Sequence, residues 1–400
     1  MTTQTLAAGI PIIDIDSHFT EPPDLWTSRA PARFRDRVLH VRDLPGGGQG
    51  WFFGDQMVAS PGNNVVRPDG SKARGTLTID RFDGMTPGGT DPAARLRDMD
   101  RLGIWGQLIY PNVIGFGAQA LLKVTEDREL LNFHVRAYND AIADLQARGQ
   151  GRLYPQAALP FWDPDESLRE LTRCRERLGL TGFVMTDQPQ HFGLPALSTP
   201  YWEPLWKTCE DLNLPVNFHI GSGALDVHAA GYWDREADLM ESVVYISTSL
   251  FIHNFRDIVN LILTGVCERH PRLNFVSVES GAGWIPFVLK SLEWTFDEML
   301  TAQQRRKYSL RPIEYFKRQI YASYWFEDSV ADFIETFGTG NLMFETDYPH
   351  PQSLYPGVQE KAAQTLGRFD AAGQRAVLCG NAARVYGIQA PASWIPPAAA

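Results

Sequence analysis

The sequence predicts an α/β protein built on a closed (β/α)8 TIM barrel with a long insertion after the first strand. Three observations carry this reading. Eight short runs rich in β-branched and aromatic residues recur along 400 residues. Helix-like stretches separate most of them, as parallel strands joined by crossovers require. Several runs end in Asp, Glu or His, at the position where a barrel of this type gathers its functional side chains.

In order, the strand-like runs cover residues 10–15, 105–110, 154–159, 182–185, 215–218, 273–278, 319–323 and 341–344. Between them lie "DRELLNFHVRAYNDAIADLQARG", "DESLRELTRCRERLG" and "PYWEPLWKTCEDLN". The last two run into Leu-Gly-Leu-Thr-Gly and Leu-Asn-Leu-Pro, which fit helix exits into a following strand. The first connection differs. Residues 20–95 are rich in Pro, Gly and Arg and hold one strand-like piece, "GWFFGDQMV". That is too long for an ordinary βα loop and reads as an insertion over the barrel mouth. The irregular "GSGALDVHAAGYWDREADLMES" follows the fifth strand and leads into a helical run over about 244–268. Residues 389–400 read as a tail, and 1–400 as a single barrel domain without internal repeats.

Composition narrows the function classes. With 44% hydrophobic and 21% charged residues the chain can bury a large core. A net charge of -10 opposes a nucleic-acid partner, which needs a basic surface. The N-terminal stretch lacks the pattern of a signal peptide, and no apolar run reaches bilayer length, so no membrane partner and a cytoplasmic location are expected. Cys174, Cys209, Cys267 and Cys379 are widely spaced without a CxxC pair and read as reduced packing residues.

The strand ends hold the chemistry. The first delivers Asp16 and His18 in "PIIDIDSHF", the fifth His219 in "VNFHIGSG", and the sixth Glu279 in "FVSVESGAG". The eighth delivers Asp347 in "LMFETDYPHPQS", with Glu345 and His350 nearby; His350 reads as a residue holding the last loop. Asp16 and His18 are two apart, so an extended strand points them to one side. Mixed imidazole and carboxylate donors suit zinc, manganese or iron, whereas magnesium and calcium seldom recruit His. A cation with an open position can activate water or polarise a carbonyl. Each residue also has an ordinary reading: His219 as a hydrogen-bonded loop residue, Asp16 and Ser17 as a turn, Asp347 as a cap before Tyr348-Pro349. The shared register of the first, fifth and eighth strand ends favours the metal.

"DIDSH", "FHIGSG" and "ETDYPHPQS" together resemble the amidohydrolase-related family that includes aminocarboxymuconate-semialdehyde decarboxylase and the aromatic-acid decarboxylases, over about residues 10–388. The resemblance implies a metal-dependent (β/α)8 enzyme and a homodimer. It matches Asp16 and His18 to the first-strand ligands, with Asp where a first His is more familiar, His219 to the fifth-strand His and Asp347 to the eighth-strand Asp. One departure stands out: the decarboxylases carry an acid/base His after the sixth strand, and "VESGAGWIP" has Glu279 there. A desolvated Glu can act as a base or join the ligands, but it offers no neutral N–H donor.

The expected function is therefore hydrolysis or non-oxidative decarboxylation of a small organic substrate, carboxylated or aromatic. The expected metal ligands are Asp16, His18, His219, Asp347 and Glu279, with His253 and His228 as candidate additions. Glu279, Asp347 and His219 are the catalytic candidates. Zinc is the first choice, with manganese or iron as alternatives and one or two ions. Two rivals stand beside it: a dinuclear iron or manganese oxygenase, and a non-catalytic metal-binding partner subunit. Tyr110, Trp162, Trp233, Tyr324, Trp325 and Tyr348 are candidates for a substrate pocket or for packing. "PNVIGFGAQ" lacks a dinucleotide fingerprint, so no nicotinamide cofactor is expected.

Overall fold

The computed structural model describes residues 5–223 and 239–397. Its twelve strands are β1 (Ile13–Asp14), β2 (His40–Asp43), β3 (Gln49–Phe53), β4 (Gln56–Ala59), β5 (Gly106–Ile109), β6 (Leu153–Pro155), β7 (Ala157–Ala158), β8 (Phe183–Val184), β9 (Val216–His219), β10 (Phe275–Val278), β11 (Ile320–Tyr324) and β12 (Leu342–Phe344). All but β2, β3 and β4 pair in parallel and make the staves of a barrel.

The third stave is divided. β6 pairs with β5, and β7 with β8, across Gln156, whose N–H reaches Ile109 O at 2.8 Å. A single strand over 154–159 was expected. Pro155 has no N–H to continue the ladder, and the break lets the chain change partners. The last seam closes through Ile15 N–H to Phe344 O (3.0 Å), Asp347 N–H to Asp16 O (2.9 Å) and His18 N–H to Tyr348 O (2.7 Å). Closure thus runs through the residues that carry the chemistry.

The barrel interior is filled by side chains such as Ile13, Ile15, Leu108, Val184, Val276 and Met343. Tyr386, on the last helix (Asn381–Tyr386), joins this layer and donates its hydroxyl to Asn217 Oδ1 at 2.5 Å. A second, larger apolar layer lies between staves and helices. Asp caps start several helices: Asp91 before Pro92–Leu102, Asp127 before Arg128–Arg148 and Asp163 before Pro164–Glu176. Each accepts a backbone N–H from the first turn, which would otherwise have no partner.

The insertion contains more structure than its sequence suggested. "GWFFGDQMV" is not one strand but a hairpin, β3 and β4, and with β2 it forms a three-stranded antiparallel sheet. Gly54, at φ +56°, makes the turn in a conformation that costs glycine nothing. Trp51 of β3 is fully buried, edge-on to Trp26 with ring centres 5.0 Å apart. The segment ends sooner than residue 95, because Asp91 and Pro92 start the helix there. Val65 N–H donates to Pro349 O at 3.1 Å, so the insertion is tied to the loop after β12. No helix among the described residues is long and apolar enough to cross a membrane.

Candidate metal centre

In "DIDSH", Asp14 and Asp16 share a parity on an ideal strand yet go to different places. Asp14 Oδ1 accepts the N–H of Thr346 (2.8 Å) and of Asp16 (3.2 Å). Its Oδ2 accepts Gln107 Nε2 (2.8 Å) and Thr346 Oγ1 (2.6 Å). Burial lifts this carboxyl to about 6 against the pull of those hydrogen bonds. Asp14 therefore buckles the first stave to the last. Asp16, released from the ladder, has no hydrogen-bond partner on either carboxylate oxygen among the described residues.

His18 and His219 face Asp16. His18 Nδ1 lies 3.3 Å from Pro111 O and His219 Nδ1 lies 2.7 Å from Ile220 O. Carbonyl oxygens only accept, so each Nδ1 carries the hydrogen and each Nε2 presents a lone pair. Those two lone pairs converge with carboxylates. Asp16 Oδ1 is 3.4 Å from His18 Nε2 and from His219 Nε2. Asp347 Oδ1 is 3.4 Å from His18 Nε2, and Glu279 Oε2 is 3.3 Å from His219 Nε2.

Two of these carboxylates sit on strained backbone. Glu279 has φ +54° and Asp347 φ +58°, left-handed conformations that cost a non-glycine residue about 1–2 kcal/mol each. Glu279 N–H is held by Ser323 Oγ and Glu345 Oε2, both at 3.2 Å. The same turn that ends each stave thus swings its carboxylate back over the barrel mouth.

Electrostatically the cluster is rich in carboxylates, and Lys72 is a nearby positive charge that pulls Asp347 down. Burial first, then mutual repulsion, pushes Asp16 and Glu279 well above the usual carboxylate range, with Asp347 contributing to both. Burial also raises Asp347 and Glu345. Burial, then the neighbouring imidazoles, drives His18 well below its ordinary value. Arg95 donates to His18 O at 2.6 Å, and Lys72 Nζ donates to Ser353 O at 2.6 Å. These carboxyls and His18 lean toward their neutral forms, which is what burial of donors suited to a cation produces.

A divalent cation fits this set. Ligands about 2.0–2.1 Å from one ion stand about 3.0–3.4 Å apart. The donor separations here are 3.3–3.4 Å, and Asp16, His18, His219 and Asp347 keep unpartnered atoms among the described residues. Glu279 completes a group of four close donors with Asp16, His18 and His219. Above them opens a cavity of about 430 Å³, reached by Glu279, Asp347 and His350. Met240, Val243 and Leu250 line one side, and Arg74 and Thr76 of the insertion line another.

The remaining candidates separate. His253 is not a member of the cluster: its Nε2 lies 2.7 Å from Asp187 Oδ2, a buried carboxylate that takes up the ring. His228 and Trp233 lie outside the described residues. Tyr110 approaches His219 with ring centres 5.1 Å apart, but Tyr324 and Tyr348 bind Thr365 and Asp98 and do not line the cavity. Trp162 and Trp325 are packing residues as well. The cavity aromatic that sequence reasoning missed is Phe116, whose ring centre is 4.2 Å from that of His219. His350 was read as a loop residue. It stacks on His18 with ring centres 3.6 Å apart, and its Nδ1 is 2.8 Å from Asp347 Oδ1. Its spacing of three from Asp347 was the available signal.

Comparisons with known proteins agree with this architecture. A family model described as amidohydrolase matches residues 13–388. Gamma-resorcylate decarboxylase of Rhizobium radiobacter is 25% identical over 269 residues, covering 64% of this chain and 76% of its own. That of a Polaromonas species is 26% identical over 265 residues, covering 64% and 76%. A solved amidohydrolase from Mycobacterium avium subsp. paratuberculosis superposes with a TM-score of 0.73 at 21% identity, covering 96% of this chain and 99% of that one. The dihydroxybenzoic acid decarboxylase of Polaromonas sp. JS666, solved with bound manganese and 2-nitroresorcinol, gives 0.60 at 18%, covering 94% and 97%. At these identities the superpositions speak for the fold.

Proposed function

The chain belongs to the amidohydrolase family, and on that premise we propose a metal-dependent carboxy-lyase that releases carbon dioxide from a small aromatic acid without an oxidant. The observation that carries the reading is the convergence of Asp16, His18, His219 and Glu279, with Asp347 Oδ1 3.4 Å from His18 Nε2, at the ends of the first, fifth, sixth and eighth staves beneath a cavity with an apolar wall. A volume of about 430 Å³ suits a single substituted ring. The decarboxylases named among the relatives point the same way.

In this reading Asp16, His18, His219 and Asp347 hold the cation. When bound, it supplies an electrophilic anchor for a carboxylate or phenolate oxygen. Phe116 and the Met240, Val243 and Leu250 side hold the ring and exclude water. Glu279, whose carboxyl burial raises well above the usual range, is the group placed to hand the ring its proton. As the ring–carboxyl bond breaks, its electron pair stays on the ring carbon and takes that proton; Glu279 regains one from solvent.

The donors are compatible with zinc, manganese or iron. Manganese becomes the first to test, because a solved neighbour is described with it bound. We also infer a reducing, cytoplasmic setting and a homodimer. The four cysteines are buried and free, and Phe287 and Trp294, seven apart on the helix Ile285–Met299, are exposed by 76% and 68%.

The test is a panel of hydroxylated and methoxylated benzoic acids with manganese-loaded protein under nitrogen, followed by carbon dioxide release. In deuterium oxide, one deuterium should enter the ring carbon that loses the carboxylate. A need for dioxygen, or hydrolysis of an amide or lactone with no decarboxylation across the panel, would overturn the proposal.

A further inference from the structure

We propose a second binding site, remote from the metal centre, that takes an amphipathic organic acid: a carboxylate head on Arg97 and Arg101, and a flexible apolar tail beside Trp394. The inference stands apart from the metal-centre reading. The site shares no lining residue with the cavity above Glu279 and Asp347.

The head end is a groove of about 840 Å³ along one face of the helix Pro92–Leu102. Arg97 and Arg101, four residues apart, are neighbours on that face. The charges lining the groove do not balance. Arg101 is paired with Asp98, and Asp100 Oδ1 accepts Arg152 Nη2 at 2.8 Å. Asp98 also accepts the hydroxyls of Thr86 (3.1 Å) and Tyr348 (2.5 Å), so both its oxygens are occupied. Arg97 is exposed and has no ion-pair or hydrogen-bond partner among the described residues. One uncompensated positive charge therefore faces the groove, in a chain whose net charge is -10. A carboxylate is the ligand group that matches neighbouring guanidinium forks.

The tail end adjoins this groove. A cavity of about 290 Å³ shares Gly103, Gln359 and Pro396 with it and is otherwise walled by apolar groups, among them Ile10, Leu378 and Trp394. Ile395 stands 77% exposed on its rim, a large apolar side chain left in water. Gln359 does not close the passage with a charge; its Nε2 donates to Leu102 O and Gly103 O, both at 3.1 Å. From Arg97 to Gly103 the helix rises about 9 Å. That span asks for a chain of several carbons behind the carboxylate rather than a bare anion.

Calorimetric titration of the full chain with octanoate and decanoate tests the assignment. Decanoate should bind about tenfold or more tighter than octanoate, from about fourfold per buried methylene. R97Q should weaken both acids alike, by about threefold to fivefold. W394A should weaken decanoate more than octanoate. Arg97 has no partner in the fold to lose, and circular dichroism establishes that both variants are folded. Stripping the metal with a chelator should leave both dissociation constants unchanged. Equal affinity for the two acids, affinities that R97Q does not move, or binding that disappears with the metal would overturn the assignment. Failure of the metal-centre reading would leave these constants where they are.

Discussion

Replacing Glu21 by Gln should stabilise this protein at about pH 8 and change it little at about pH 5. Glu21 is buried at the start of the insertion, with Oε1 accepting two backbone N–H groups. Its Oε2 has no partner among the described residues, and neither does the buried hydroxyl of Tyr138. Burial pushes this carboxyl from 4.5 to about 7, outweighing the hydrogen bonds that pull it down. Between those two values the folded protein binds more protons than the unfolded chain, so stability falls as pH rises through the interval. Moving from 4.5 to about 7 corresponds to about 3 kcal/mol once the group is ionised in both states. Gln retains an oxygen for the two N–H groups and never ionises. A chain of 400 residues unfolds with an entropy of about 0.8 kcal/mol/K, so 3 kcal/mol is worth about 3–4 °C in Tm. Thermal melts of both proteins at about pH 5, 6, 7 and 8, with saturating Mn²⁺, measure the difference directly. A Tm difference that does not grow with pH, or that favours Glu21 at pH 8, would refute the reasoning.

The other predictions concern the site. E279Q should keep its metal and lose about 10²- to 10⁴-fold in kcat, measured as carbon dioxide release, because the proton donor is gone; loss of metal instead would make Glu279 a ligand. H219A and D347A should lose stoichiometric metal in elemental analysis of purified protein. Stripping the cation with a chelator should lower Tm by about 3 °C relative to protein at a hundredfold excess of free metal over Kd, from about 2.7 kcal/mol of linkage. D14A leaves the N–H groups of Thr346 and Asp16 and the Gln107 amide without their acceptor, so it should cost about 2–4 kcal/mol in urea unfolding.

Most of the barrel was legible because its signals are local. Runs such as "PVNFHI" and "NFVSV" bury both faces, and Asp-Pro pairs such as Asp91-Pro92 and Asp163-Pro164 cap and start helices within a few residues. The misreadings came where a pattern admits two geometries. "GWFFGDQMV" alternates well enough for one strand, and only pairing with residues 40–43 makes Gly54 a turn. The split at Gln156 likewise depends on which neighbour each half meets.

The donors Asp16, His18, His219, Glu279 and Asp347 could be picked out because strand ends in such a barrel converge, a consequence of closure rather than of any single motif. Three things lay beyond the sequence: that Asp14 would turn away to bind Thr346, that Glu279 and Asp347 would take left-handed backbone, and that His350 would be oriented by Asn112, 238 residues away. Residue type and spacing decide which groups a chain can bring to a site. Their tautomers, strain and charge state are set by partners distant along the chain, and those exist only once the barrel has closed.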